Sequence, residues 1–109
     1  MIDIITFKTL ALSFPGSTEM PHFEKSSFRF NKKIFATLDI SNHRTCIKLS
    51  QIDQSVFCSI DKTIIYPVNN KWGKQGWTIV ELQKIKKPLL KEALAKAYIE
   101  VSTNKKAPK

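Results

Sequence analysis

Apolar and polar positions fall into stretches of two different periods. Ile2, Ile5, Leu10 and Leu12 recur at loosely helical spacing behind Asp3, whose carboxylate suits a helix N-terminus, and Phe14-Pro15-Gly16 ends this first helix. Residues 15–26 contain Pro15, Gly16, Ser17, Thr18, Pro21 and Ser26 with no sustained period and read as an ordered connection. The period then drops to two. Ser27-Phe28-Arg29-Phe30 and Ile34-Phe35-Ala36-Thr37-Leu38 flank the polar turn Asn31-Lys32-Lys33 and predict a β-hairpin. A further turn at Ser41-Asn42-His43-Arg44 leads into Thr45-Cys46-Ile47-Lys48-Leu49, a third strand of an antiparallel meander.

Ser50 and Asp53 stand at capping-box spacing ahead of Ile52, Val56, Phe57 and Ile60, which predicts a short second helix. Ile64-Ile65-Tyr66 reads as a strand that Pro67 ends or confines to an edge, because proline has no N–H for the ladder. Residues 69–76 read as a loop, and Trp77-Thr78-Ile79-Val80-Glu81-Leu82 resumes the alternation. The clearest helical period comes last, at Leu89, Leu90, Ala93, Leu94, Ala97, Tyr98 and Val101, with Pro88 at the tolerated first turn. The elements predict one α+β domain over residues 1–104, an antiparallel sheet with N-terminal, middle and C-terminal helices packed on it, followed by a basic tail at 105–109.

Composition fits that reading. Hydrophobic residues make up 42% of the 109 and charged residues 25%, enough apolar side chain to form a core and exclude a disordered chain. No apolar run reaches membrane-spanning length, and the N-terminus lacks the basic flank and apolar core of a secretory signal, so a cytoplasmic address is expected. Cys46 and Cys58 are too few for a disulfide scaffold and read as reduced core residues.

Charge changes the picture more. The chain carries 18 Lys and Arg against 9 Asp and Glu, a formal net charge of +9. The excess sits mostly beyond residue 61, where lysines face only Glu81, Glu92 and Glu100. Such asymmetry attracts polyanions through counterion release. Only Arg29 and Arg44 are arginines, so any such attraction is expected to be mainly Lys to phosphate, with little reading of base edges.

Phe14-Pro15-Gly16 after a short helix, the hairpin from Phe28-Arg29-Phe30 to Lys33-Ile34-Phe35-Ala36, then Ile47-Lys48-Leu49 and Gly76-Trp77-Thr78-Ile79-Val80-Glu81-Leu82 before a helix through Tyr98 together resemble the MmcQ/YjbR family across about residues 2–104. Each piece is a short packing or turn signature, and their order and spacing carry the likeness. The resemblance implies a small α+β domain with a double-wing-like arrangement and, by analogy of shape, DNA binding. It supplies no catalytic residues. Ala97 before Tyr98, where relatives often have serine, and the lysine-rich stretch Asn70-Lys71-Trp72-Gly73-Lys74 depart from the family pattern.

Four constellations carry candidate chemistry. Lys71, Trp72 and Lys74 combine a stacking face with cations, as single-strand binders do; Trp77 reads first as a strand anchor, and Trp72 reads equally as either. Gly73-Lys74-Gln75-Gly76 spells the GXXG of KH domains, but that loop joins two helices and this one enters a strand. Lys84, Lys86 and Lys87 precede the last helix and with Lys91 and Lys96 form either a basic stripe or an ordinary solvated face. Lys32 and Lys33 sit at the hairpin tip, where a wing would meet DNA, and read equally as ordinary turn lysines.

His43 and Cys46, with His22 and Cys58, lack the paired knuckles of a structural zinc site, so no metal is expected. Glu19, His22 and Glu24 share one stretch in which acid–base work is conceivable, yet incidental polar residues explain it as well. Nucleophile elbows, Walker loops, zinc-protease helices and dinucleotide fingerprints are all missing, so neither catalysis nor a cofactor is expected. The expected function is a monomeric nucleic-acid (DNA or RNA) binding module using lysine–phosphate attraction at 71–74 and 84–87. The alternative is a protein-interaction or small-ligand domain whose charge is incidental.

Overall fold

The computed structural model describes residues 1–22 and 25–103. Helix α1 (Ile4–Leu12) starts where the Asp3 carboxylate accepts the Thr6 N–H at 2.7 Å. Strands β1 (Ser17–His22), β2 (Lys25–Phe30), β3 (Lys33–Asp39) and β4 (Arg44–Lys48) follow as a meander. Helix α2 (Gln51–Cys58) is capped by Ser50, whose hydroxyl accepts the Asp53 N–H. Then come β5 (Ile65–Pro67), a single turn α3 (Lys71–Lys74), β6 (Trp77–Glu81) and the long α4 (Lys87–Ser102). The six strands form one antiparallel sheet in the order β1-β2-β3-β4-β6-β5.

Two expectations need correcting. The connection expected over 15–26 contains β1, an edge strand paired along β2 from Ser17↔Phe30 to His22↔Lys25. The loop expected over 69–76 contains α3, so the described residues form four helices rather than three. The hairpin tip is also one residue shorter than expected. Asn31 (φ 50°) and Lys32 (φ 73°) are both left-handed, the backbone of a two-residue turn whose twist matches its strands, and Lys33 already belongs to β3.

A register shift between Phe28 and Arg29 decides which side chains share a face. Phe28 pairs with Ala36 but Arg29 pairs with Ile34, so Phe35 is the extra residue and both Phe35 and Ala36 are buried. The core lies on one side of the sheet. Leu90, Ala93, Leu94 and Ala97 of α4 are fully buried, as are Ala36, Leu38 and Ile47 on the strands beneath, and Phe7 of α1 meets Phe28 edge-on at 5.5 Å. Tyr98 stacks on Phe14 at 4.9 Å and donates its hydroxyl to the Pro15 carbonyl, so the Phe14-Pro15-Gly16 stop is tied to the last helix. Both outer strands carry a proline, Pro21 in β1 and Pro67 in β5.

Leu94→Ala deletes buried methyl groups from the centre of this layer. It should cost about 2–5 kcal/mol, read as a lower urea midpoint with an unchanged slope.

Candidate functional site

All three longer helices cover the same face. Helices α1 and α4 lie over the core strands, and Gln54 of α2 donates to Thr78 Oγ1 on β6, a buried residue directly opposite core residue Ile47. The other face carries no helix except where α3 overhangs one end. Directly paired residues in an antiparallel sheet share a face, so the register assigns the occupants of this bare side. Arg29 stands opposite Ile34, Asp39 opposite Arg44, Cys46 opposite both Thr37 and Ile79, and Lys48 opposite Trp77.

Ile34, Thr37, Asp39, Arg44, Cys46, Trp77 and Ile79 among them line a cleft of about 970 Å³, while Arg29 and Lys48 share the face without lining it. Its floor is apolar, made by Ile34 of β3, Cys46 of β4, Trp77 and Ile79 of β6, and Val68 beyond β5. Trp72 of α3 closes one end, and Lys25, Asp39 and Arg44 stand at the other. The arrangement is an apolar trough with charged ends, the usual form of a binding site.

Trp72 is held in place by contacts distant in sequence. The Asn70 side-chain oxygen accepts the Trp72 N–H and starts the α3 turn, while Gln54 and Gln51 of α2 donate to the carbonyls of Gly73 and Lys74, each at 2.9 Å. A Cβ at Gly73 would lie 2.0 Å from the Val68 carbonyl oxygen, and one at Gly76 would lie 1.9 Å from that of Leu49. Gly76 also has φ +105°, a region that L side chains avoid. Both glycines of the GXXG stretch therefore serve close backbone packing. The Trp72 ring remains half exposed, with the Lys71 ammonium 5.8 Å from its centroid.

Electrostatics at the far end are dense. Arg44 Nε donates to Glu81 Oε2 at 3.0 Å, and the Tyr66 hydroxyl donates to the same carboxylate oxygen. Burial, then the Glu81 bond, push the Tyr66 hydroxyl above its ordinary acidity range. Asp39 accepts from the Asn42 side chain and backbone, and the side-chain bond foremost holds its carboxyl below the usual range. Arg29 is steadied by donating to Ser27 Oγ, which itself donates to the Met20 carbonyl. Burial pushes the Cys46 thiol up to about 11.

The lysines singled out from sequence fall into separate groups. Lys32 in the β2–β3 turn and Lys33 at the start of β3 lie at the same end of the sheet as Lys71, Trp72 and Lys74. Lys84, Lys86 and Lys87 lie beyond the opposite end of β6, in its connection to α4 and that helix's first turn. The five residues of β6 separate the two ends by about 14 Å. Trp77, read as a strand anchor, is half-buried and lines the cleft. Sequence reasoning missed Lys25, Arg29, Arg44 and Lys48 as a group, although Arg29 and Lys48 are outward positions of predicted strands.

The remaining candidates do not converge. Glu19 pairs with Lys8 of α1 at 3.1 Å, His22 is the last residue of β1, and Glu24 lies outside the described residues. The tail at 105–109 lies outside them too. His43 Nε2 donates to the Ile2 carbonyl, Cys46 faces the cleft, and Cys58 packs against the core on α2. Among the described residues no three His, Cys, Asp or Glu side chains come together as a metal site, and no helix is long and apolar enough to cross a membrane.

Comparison with known proteins gives a family and a fold. The YjbR family model matches residues 12–99. A Deinococcus radiodurans protein with a DUF419 domain has a crystal structure similar to this one at TM-score 0.82 and 22% identity, covering 100% of this chain and 84% of that one. Among curated proteins no sequence match is found.

Two outcomes follow from this geometry. Helix propensity alone makes Gly73→Ala stabilising by about 1 kcal/mol, whereas the Val68 contact makes it destabilising; chemical denaturation gives the sign, and a red-shifted tryptophan emission is expected with it. For Cys46 the folded thiol is held above the unfolded value of 9.0, at about 11. Its contribution to stability is therefore complete below pH 9 and is lost as pH climbs through 11. At pH 8 the thiol should react with a disulfide reagent far more slowly in the native protein than in urea.

Proposed function

The chain belongs to the YjbR family, and from that premise we propose that it is a nucleic-acid-binding module whose contact surface is the helix-free face of its sheet. One observation carries the reading: both arginines of the chain, Arg29 and Arg44, stand on that face with Lys25 and Lys48, around a floor that includes Trp77. These four cations outnumber Asp39 and Glu81 there, and the Arg44–Glu81 ion pair offsets one charge of each sign. Lys71 and Lys74 extend the positive rim past Trp72, and Lys32 and Lys33 lie at the same end of the sheet.

Phosphate attraction supplies affinity with little sequence preference in this reading, because the cations present charge rather than a fixed ladder of donors to base edges. Lys84, Lys86 and Lys87 are remote from the cleft and contribute only to the general positive field. The size of the cleft, about 970 Å³, and its apolar floor favour a second reading, a small apolar ligand. The two differ in salt response.

Fluorescence anisotropy with labelled DNA and RNA tests the proposal. Four to six phosphate contacts give a slope of log K against log salt of about −3 to −5. Arg29→Gln with Arg44→Gln should weaken binding more than Lys84→Gln with Lys86→Gln and Lys87→Gln. Absence of saturable binding at low salt overturns the reading, and a salt-independent affinity for small apolar compounds favours the second.

A further inference from the structure

We propose that the cleft takes unpaired nucleotides, so that the protein selects single-stranded over duplex nucleic acid; this deepens the reading above and rests on it. The argument is one of surface matching. A duplex turns its phosphates outward and keeps the faces of its bases stacked inside, so it offers no base face to a floor of Ile34, Ile79, Val68 and Trp77 or to Trp72 at its end. A basic surface meant for duplex has no use for that floor, and docking phosphates over it would strip their water without a compensating partner. Unpaired bases present open π-faces that stack on aromatic side chains irrespective of sequence.

The positions of the charges agree. Cations stand at both ends of the trough, Lys25 and Arg44 at one, Lys48 and Lys71 beside Trp77 and Trp72 at the other. From Arg44 to Lys48 along β4 is about 14 Å, so a strand laid across the floor has its backbone held at the flanks while its bases turn inward.

Trp72 makes the proposal testable without disturbing the core, because its ring is half exposed. The full-length protein is titrated at low salt with a labelled 12-nucleotide mixed-sequence single strand and with the same oligonucleotide annealed to its complement. The expected result is at least tenfold tighter binding of the single strand, with quenching of tryptophan fluorescence. Trp72→Ala should lower single-strand affinity about 5- to 150-fold and leave duplex affinity unchanged, and Trp72→Phe, which keeps a stacking face, should recover most of the loss. Equal or tighter binding of the duplex overturns the selection of unpaired bases and leaves the nucleic-acid reading standing. Failure of both probes to bind overturns the two together.

Discussion

The burial of one face of α4 against β3 and β4 is the interaction on which the rest of the molecule depends. Ala93 and Ala97 bring the helix backbone close to the sheet, while Leu90 and Leu94 fill the space between, and all four are fully buried. With α1 and α2 packed on the same side, the apolar side chains of a 109-residue chain are committed to a single layer. The opposite side of the sheet is left to face solvent or a partner. A candidate site exists here because the three longer helices are all on one side, and its floor is as flat or as curved as the sheet they hold.

That dependence extends to the parts of the site that are not strands. The turn carrying Trp72 is only four residues long and has little stability of its own. It stands because α2, from the covered side, reaches around β6 with Gln51 and Gln54 to take up its last carbonyls, and because Gly73 and Gly76 let it settle on the Val68 and Leu49 backbones. Hydrogen bonds of this kind contribute about 1 kcal/mol each, and the backbone contacts forbid any side chain larger than hydrogen. Core packing and ring position are thereby mechanically linked. The Arg44–Glu81–Tyr66 group at the other end is organised differently, by cross-strand register, and needs no helix to position it.

Much of this was legible in the sequence. The central hairpin, the third strand, the strand at Trp77 and the last helix were clear because their buried residues repeat with the right period. Strand β1 was not, since Ser17-Thr18-Glu19-Met20-Pro21-His22 is an edge strand with no apolar alternation to announce it. Helix α3 depends on Gln51 and Gln54, some twenty residues away, and local pattern cannot reveal it. The lysine-rich 71–74 stretch was visible as a rim, but the grouping of Lys25, Arg29, Arg44 and Lys48 was hidden. Those residues lie on two strands that are not neighbours, β2 and β4, and the bulge at Phe28 and Arg29 resets which residues of β3 between them share their side. The outward positions of each strand carried the signal; assigning them to one surface required the pairing.

The two outer strands close the account. A bare sheet face with tryptophan and isoleucine on it, bounded by open backbone edges, is the geometry from which cross-β ribbons and amyloid grow. Pro21 and Pro67 each remove a donor from one margin, and β5 is only three residues long. Proline and short length are the devices that blunt such margins as templates for strand addition.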